Sequence, residues 1–267
     1  MSLFGLDGRV AVVTGATGLL GKQHCIALRE AGASVVVADL DPRQCQSLAS
    51  DLGSSALALE MDVTKKSSLS AGLQCVLARF NAVDVLVNNA AVNDMFENPN
   101  LIGEHSRFEN YPEVLWRKMF DVNVTGMFLC SQVFGTHMAM RGKGSIVNIA
   151  STYGIVAPDQ ALYRLSDGSQ QFYKSAAYPA TKGAVIAFTR FLATYWGSKG
   201  VRANTLSPGG VENSQDEYFV SNYAKRTPLQ RMARATDYRG ALVFLASDAS
   251  EYMTGANVVV DGGWTIV

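Results

Sequence analysis

Two side chains at helical spacing carry the sharpest chemical suggestion in this chain. Tyr178 and Lys182 lie four apart in the run Tyr178-Pro179-Ala180-Thr181-Lys182, at the head of an apolar-periodic stretch. That spacing puts both on one helix face, and Pro179 suits a first-turn position. An unperturbed phenol ionises near about pH 10, too high for an efficient base at neutrality, and a nearby ammonium favours the phenolate. Bringing the value to about 7 needs roughly 4 kcal/mol of differential stabilisation. Taken alone, the pair also reads as an ordinary helix-surface pair.

A second constellation is Thr14-Gly15-Ala16-Thr17-Gly18-Leu19-Leu20-Gly21, which follows an apolar run and opens a helical pattern. Glycines there let the backbone bend sharply and approach a pyrophosphate, with free helix N–H groups facing the anion. The next apolar run ends in Ala38-Asp39. An acid at that place accepts hydrogen bonds from adenosine ribose hydroxyls and repels a 2′-phosphate. The reading is therefore NAD(H) rather than NADP(H), with Arg43 the nearby cation that would undo it.

These residues need a scaffold, and the pattern supplies one. Short apolar runs fall at 10–13, 34–38, 56–59, 83–87, 145–149, 201–206 and 258–260. Several are continuous Val/Ile/Leu stretches, as expected of strands covered by helices on both faces. Helical patterns at 19–31, 42–52, 66–80, 112–140, 178–198 and 236–246 separate them. Thr64 is a candidate N-cap for the third, and Gly32 and Gly53 are stops for the first two. The alternation implies one open α/β sheet in a single domain over residues 1–267. Residues 93–111 and 157–174 break the rhythm as polar insertions, and long loops in compact domains are usually functional.

Composition narrows the classes. Of 267 residues, 48% are hydrophobic and 17% charged, and 23 Lys+Arg balance 23 Asp+Glu. That is globular rather than disordered. It argues against nucleic acid and against anionic membranes as partners. No apolar run is long enough for a membrane span, and the N-terminus lacks a signal-peptide pattern, so a cytoplasmic protein is expected. Cys25, Cys45, Cys75 and Cys130 are spread out and read as reduced thiols. His24, His105 and His137 show no metal-ligand spacing, so no metal is expected.

Further motifs recur in a particular order: Asp62-Val63, Asn88-Asn89-Ala90-Ala91, Asn123-Val124-Thr125-Gly126, Asn148-Ile149-Ala150-Ser151, Ser207-Pro208-Gly209-Gly210-Val211 and Val260-Asp261-Gly262-Gly263. With the glycine turn and Tyr178/Lys182, they make the chain resemble the shorter branch of the short-chain dehydrogenase/reductase family over nearly its whole length. The resemblance implies a Rossmann-like, doubly wound, mostly parallel seven-stranded sheet with helices on both faces. It implies a catalytic tetrad in which Tyr178 is the general acid/base and Ser151 hydrogen-bonds the same substrate oxygen. Lys182 would lower the Tyr178 pKa and hold the nicotinamide ribose, and Asn123 would position a water linking Lys182 to solvent. Cofactor contacts map onto Gly15, Thr17, Gly18, Leu19, Gly21, Asp39, Asp62, Val63, Asn88, Tyr178, Lys182 and Val211, with Asn88 beneath the dinucleotide. A homo-oligomer, dimer or tetramer, is implied too, with the helices around 112–140 and 178–198 as its surfaces.

The departures from the family pattern are informative. The turn reads TGxxGxxG where the shorter branch usually has TGxxxGxG, Ala91 replaces a glycine, and Asn213 stands where a Thr often touches the cofactor. The stretch between Ser151 and Tyr178 is also longer than usual. It contains Asp159, Gln160, Tyr163, Arg164, Asp167, Gln170, Gln171, Tyr173 and Lys174. It is expected to cover the substrate pocket with a polar wall suited to a sugar, polyol or nucleotide-sugar; the alternative is an exposed ornament. Glu104, His105 and Arg107 are expected at the same mouth. Residues 212–234 form the expected lid, whose Lys225, Arg226 and Arg231 would meet an anionic substrate or else lie on a solvated face. The expected activity is hydride transfer between a secondary alcohol or ketone and nicotinamide. Alternatives are a 3-oxoacyl-carrier-protein reductase, a non-enzymatic NAD-sensing protein and an interaction scaffold.

Overall fold

The computed structural model describes residues 3–93, 103–170 and 172–267. Seven strands make one sheet: β1 (Val10–Thr14), β2 (Ser34–Asp39), β3 (Ala56–Glu60), β4 (Val85–Asn88), β5 (Gly144–Ile149), β6 (Val201–Pro208) and β7 (Asn257–Val260). Their order is β3-β2-β1-β4-β5-β6-β7, and every pairing is parallel. The order reverses between β1 and β4, so their carboxyl ends diverge and open a crevice.

Strand alternation explains why the apolar runs are continuous. Ala11, Val13, Val35 and Val37 enter one buried cluster, which includes Cys25 and Leu28 of α1 (Leu19–Glu30) and Leu242 and Leu245 of α9 (Arg239–Ala246). Val10, Val12, Val36 and Ala38 enter a second cluster on the opposite face, with Leu69 and Val76 of α3 (Lys66–Phe80). α2 is Pro42–Leu52, capped by Asp41, whose carboxylate accepts from the N–H groups of Arg43 and Gln44. All four cysteines are free thiols, and Cys75 alone among them is exposed.

The helical stretch expected at 112–140 is a composite. α4 (Glu113–Phe120), α5 (Met127–Cys130) and α6 (Thr136–Arg141) are joined by π-helical turns at Asp121–Gly126 and Ser131–Gly135. The first π turn contains Asn123, in keeping with the placement of such turns at functional sites. α7 (Ala177–Trp196) follows the second insertion. A further helix, α8 (Glu217–Lys225), lies in the lid and is capped by Asp216.

Three expectations are corrected. Thr64 does not cap α3: Lys65 holds that position without a side-chain bond, and the Thr64 hydroxyl donates to Asp62 Oδ1 at 2.7 Å. The stretch at 236–246 begins as a 3-10 turn, Ala235–Tyr238, before α9. The insertion at 157–174 is not an exposed ornament, and the wall it gives the pocket, through Tyr163 and Lys174, is only partly polar. Its 3-10 turn, Gln160–Tyr163, buries Leu162 and Tyr163 against Tyr223, Met232 and Trp264. Asp167 faces outward and caps its own turn through Ser169. The apolar members of the insertion were overlooked because polar residues outnumber them. Much of the expected insertion at 93–111 lies outside the described residues.

Candidate active site

The turn after β1 is shaped by glycine. A Cβ on Gly21 would sit 2.1 Å from the Gly15 carbonyl oxygen, so any side chain would break the turn. Gly18 is the N-cap of α1 and offers no side-chain bond, and the first turn carries no acid. The helix N-terminus is thus open to an anion. Asp39, at the end of β2, accepts from the Thr17 N–H at 2.9 Å and the Thr17 hydroxyl at 2.6 Å, while Oδ1 accepts from Leu40 N–H.

A cavity of about 630 Å³ runs along this end, lined by Gly15, Thr17, Gly18, Leu19, Gly21, Asp39, Asp62 and Val63 among others. Asp62 is held below the usual carboxylate range, chiefly by the Thr64 hydroxyl and then by Lys65, 3.0 Å away. A second cavity of about 500 Å³ shares Gly18, Leu19, Leu20, Asn89 and Ala91 with the first. Together they form one cleft across the switch point. The uncapped helix between its halves and the acid at one end fit a dinucleotide.

The second cavity is lined by Ser151, Tyr178, Lys182 and Val211. Ser151 follows β5, and its hydroxyl accepts from the Tyr153 N–H at 3.2 Å. Tyr178 and Lys182 sit on the first turns of α7. Lys182 Nζ donates to the Ile149 carbonyl at 2.9 Å and lies 5.6 Å from the Tyr178 ring centroid. A close approach fixes this arrangement, since a Cβ on Gly154 would meet the Lys182 carbonyl at 2.7 Å.

The electrostatics differ from the sequence expectation. Burial pushes the Tyr178 phenol up to about 12, with only partial relief from its hydrogen bond to Ser151. Burial also lowers Lys182 to about 8. Lys182 is buried and Tyr178 half-buried at the wall of the cavity, and the loss of water disfavours ammonium and phenolate alike. Lys182 is anchored on a carbonyl, and the expected depression of Tyr178 is absent from the protein alone.

Two expected residues stand back from the cleft. Asn123 is buried and does not line either half. Its amide exchanges hydrogen bonds with the Val92 backbone at 2.8 and 3.1 Å and donates to the Thr181 hydroxyl at 3.2 Å. It therefore braces the residue next to Lys182. Asn88 is also buried, donating to Asn148 at 2.8 Å and Ser131 at 3.2 Å. Asn89 is the residue that reaches the cleft, holding the Gly15 carbonyl at 2.8 Å. Neighbouring residues at a strand end point to opposite sides, and the sequence did not reveal which one faces the crevice.

Sequence reasoning also missed Tyr153, Tyr223 and Met232 as lining residues, and it did not give Tyr163 and Lys174 individual roles. The hydroxyls of Tyr153 and Tyr163 are hydrogen-bonded to each other at 3.2 Å. The position of Tyr153 beside Ser151 was the available signal. The lid cations do not meet the cleft. Arg226 pairs with Asp159 at 2.9 Å, Arg231 pairs with Asp237 at 2.5 Å, and Lys225 lines a separate cavity beside Trp264. Arg107 does line a cavity built by both insertions, with Lys174 at its boundary with the cleft. Among the described residues no cluster of metal-binding side chains occurs, and no helix is long and apolar enough to cross a membrane.

Comparison with known proteins agrees with this geometry. A family model described as enoyl-(acyl carrier protein) reductase matches residues 15–265. The chain is 34% identical to a galactitol 2-dehydrogenase (L-tagatose-forming) of Cereibacter sphaeroides, covering 99% of this chain and 98% of that one. It is 34% identical to a D-threitol dehydrogenase of Mycolicibacterium smegmatis, covering 98% and 95%. The fold superposes on a gluconate 5-dehydrogenase of Burkholderia cenocepacia solved with NADP and tartrate. That match has a TM-score of 0.86 and 32% identity, covering 99% of this chain and 98% of that one. With three of the four expected catalytic side chains on one cavity and the fourth bracing it, the chain is an oxidoreductase that belongs to the short-chain dehydrogenase/reductase family.

Proposed function

We propose that this protein is an NAD(H)-dependent dehydrogenase acting on a secondary alcohol or ketone of a polyol or sugar. The observation that carries the reading is the convergence of Ser151, Tyr178 and Lys182 on one cavity, continuous with a cleft that ends at Asp39.

The bound nicotinamide supplies the hydride acceptor or donor. Ser151 donates a hydrogen bond to the substrate oxygen, where negative charge develops. Tyr178 takes the hydroxyl proton during oxidation and returns it during reduction. Lys182 keeps positive charge beside the phenol, and Asn123 holds the α7 turn in place through Thr181. Binding orients the reacting carbon against the nicotinamide and keeps water out.

Asp39 supports NAD(H) over NADP(H), because a 2′-phosphate would face its carboxylate. Among the described residues lining that end, the basic one is Lys118 on α4, and Arg43 does not line it. The hydroxyls of Tyr153 and Tyr163 and the Gln215 amide, set among aromatic faces, support a polyhydroxy substrate. Exposed Phe128, Phe191 and Tyr195 on α5 and α7 support a homo-oligomer through these helices, which light scattering checks.

A spectrophotometric screen of polyols and sugars with NAD and NADP tests the reading. NADH formation on some of them, with kcat/KM favouring NAD, is expected. Tight NAD binding without turnover on any alcohol or ketone would point instead to an NAD-sensing protein.

A further inference from the structure

Lys174 closes the second insertion, and its side chain turns inward. It is 5% exposed and lines both the catalytic cavity and the neighbouring cavity built by the two insertions. Its ammonium lies over the Tyr178 ring, 4.5 Å from the centroid, nearer than the 5.6 Å of Lys182. The Lys174 Nζ donates to Asn93 Oδ1, in the loop after β4.

The insertion is built to hold this residue. The Gln160 amide bonds the Lys174 backbone in both directions, accepting from its N–H at 2.9 Å and donating to its carbonyl at 3.0 Å. Gln170 in turn donates to the Gln160 carbonyl at 2.8 Å, closing the insertion on itself. Next to it, the Tyr173 N–H donates to the Ser106 hydroxyl at 3.1 Å, tying the second insertion to the first. These bonds fix the Lys174 backbone with its ammonium over the Tyr178 ring.

We propose that Lys174 is a positioning residue for the reaction, a second cation whose charge over the Tyr178 ring supports the phenolate that accepts the substrate proton. The inference rests on Tyr178 being that acceptor. In oxidation the substrate O–H bond breaks and its proton goes to the Tyr178 oxygen. The hydrogen on the same carbon leaves with its electron pair to the oxidised nicotinamide, and the carbonyl forms. Negative charge on Tyr178 is greatest just before this step, and a nearby cation favours it. Among the described residues, the other groups around the phenol are Ser151, Tyr153, Tyr163 and Lys182. Neither neutral tyrosine favours the phenolate. Arg107, Glu109, Tyr111 and Tyr173 share the outer cavity with Lys174. Burial opposes ionisation of Tyr178 and weakens the charge on Lys182, which is where a second cation has effect.

The test needs no knowledge of the substrate. Phenolate absorbance is titrated in the full-length protein saturated with NAD, and Tyr178 is isolated as the difference from a Tyr178→Phe background. Lys174→Gln is expected to raise the Tyr178 midpoint by about one unit, while Lys174→Arg leaves it near the parent value. NAD affinity and circular dichroism, unchanged in both variants, exclude misfolding. A structural role for the side chain would move the Arg variant as well, and would overturn the proposal. An unmoved midpoint in Lys174→Gln would overturn it too, leaving the role of Tyr178 intact. Absence of any Tyr178 ionisation up to alkaline pH in the parent protein would count against the role of Tyr178 itself.

Discussion

Thr17 holds Asp39 by two hydrogen bonds to a single carboxylate oxygen, 2.9 Å from its N–H and 2.6 Å from its hydroxyl. The glycine turn and the end of β2 are thereby locked together, and Oδ1 keeps one further bond to Leu40. Under the proposed preference for NAD(H), a carboxylate held this way would meet a 2′-phosphate without rotating aside.

Cofactor choice should follow from this pair. Asp39→Ser is expected to lower kcat/KM for NAD and raise it for NADP, shifting the ratio by at least about tenfold, equivalent to about 1.4 kcal/mol. Thr17→Val is expected to weaken NAD binding by a smaller factor, since the carboxylate remains and only its anchor is lost. Steady-state kinetics with both cofactors reads the two effects.

The pH profile should depend on direction. Burial favours the phenol form of Tyr178, which is the acid that ketone reduction needs. Alcohol oxidation needs the phenolate, so its kcat/KM is expected to climb from neutral toward alkaline pH, while that of reduction falls over the same range. Profiles measured in both directions with one substrate pair check the sign, and two flat profiles would contradict it.

The contact between insertion and lid can be weighed through Arg226 and Asp159. Both are substantially exposed, 41% and 46% by side chain, so their ion pair should contribute no more than about 1 kcal/mol to stability. Arg226→Ala is expected to leave the melting temperature within a few degrees and to raise the substrate KM with little change in kcat. The lid would be less well held over the pocket, while the chemistry stays intact.

Gly154 offers a stability test near the chemistry. A Cβ there would lie 2.7 Å from backbone atoms of Lys182. Gly154→Ala is expected to cost about 1–3 kcal/mol, as overpacking usually does, and to reduce kcat because α7 must retreat from Ser151. Thermal unfolding and turnover measured on the same sample separate the two losses.

Much of this architecture was legible in the residues. Continuous runs such as Val35-Val36-Val37 can be buried only if both sheet faces are covered, and the two clusters that divide their side chains bear this out. Tyr178 and Lys182 announced themselves by helical spacing. What stayed hidden depends on orientation or on contact with distant residues. Asn88 and Asn89 are chemically identical, and only the strand register shows that the second faces the cleft. α8 was obscured by the charged residues around it, although Asp216 is a good cap. Lys174 looked like one polar residue among many. Its importance depends on Gln160 and Asn93, which approach it only in the folded chain.

The most direct test is Tyr178→Phe, which removes one oxygen from a site that stays otherwise intact. General acid–base groups contribute about 10²–10⁴ in rate. The expected result is loss of NADH formation by at least that factor, with NAD affinity nearly unchanged in a calorimetric or fluorescence titration. Turnover within a few-fold of the parent enzyme would contradict the role of Tyr178 and, with it, the proposed mechanism.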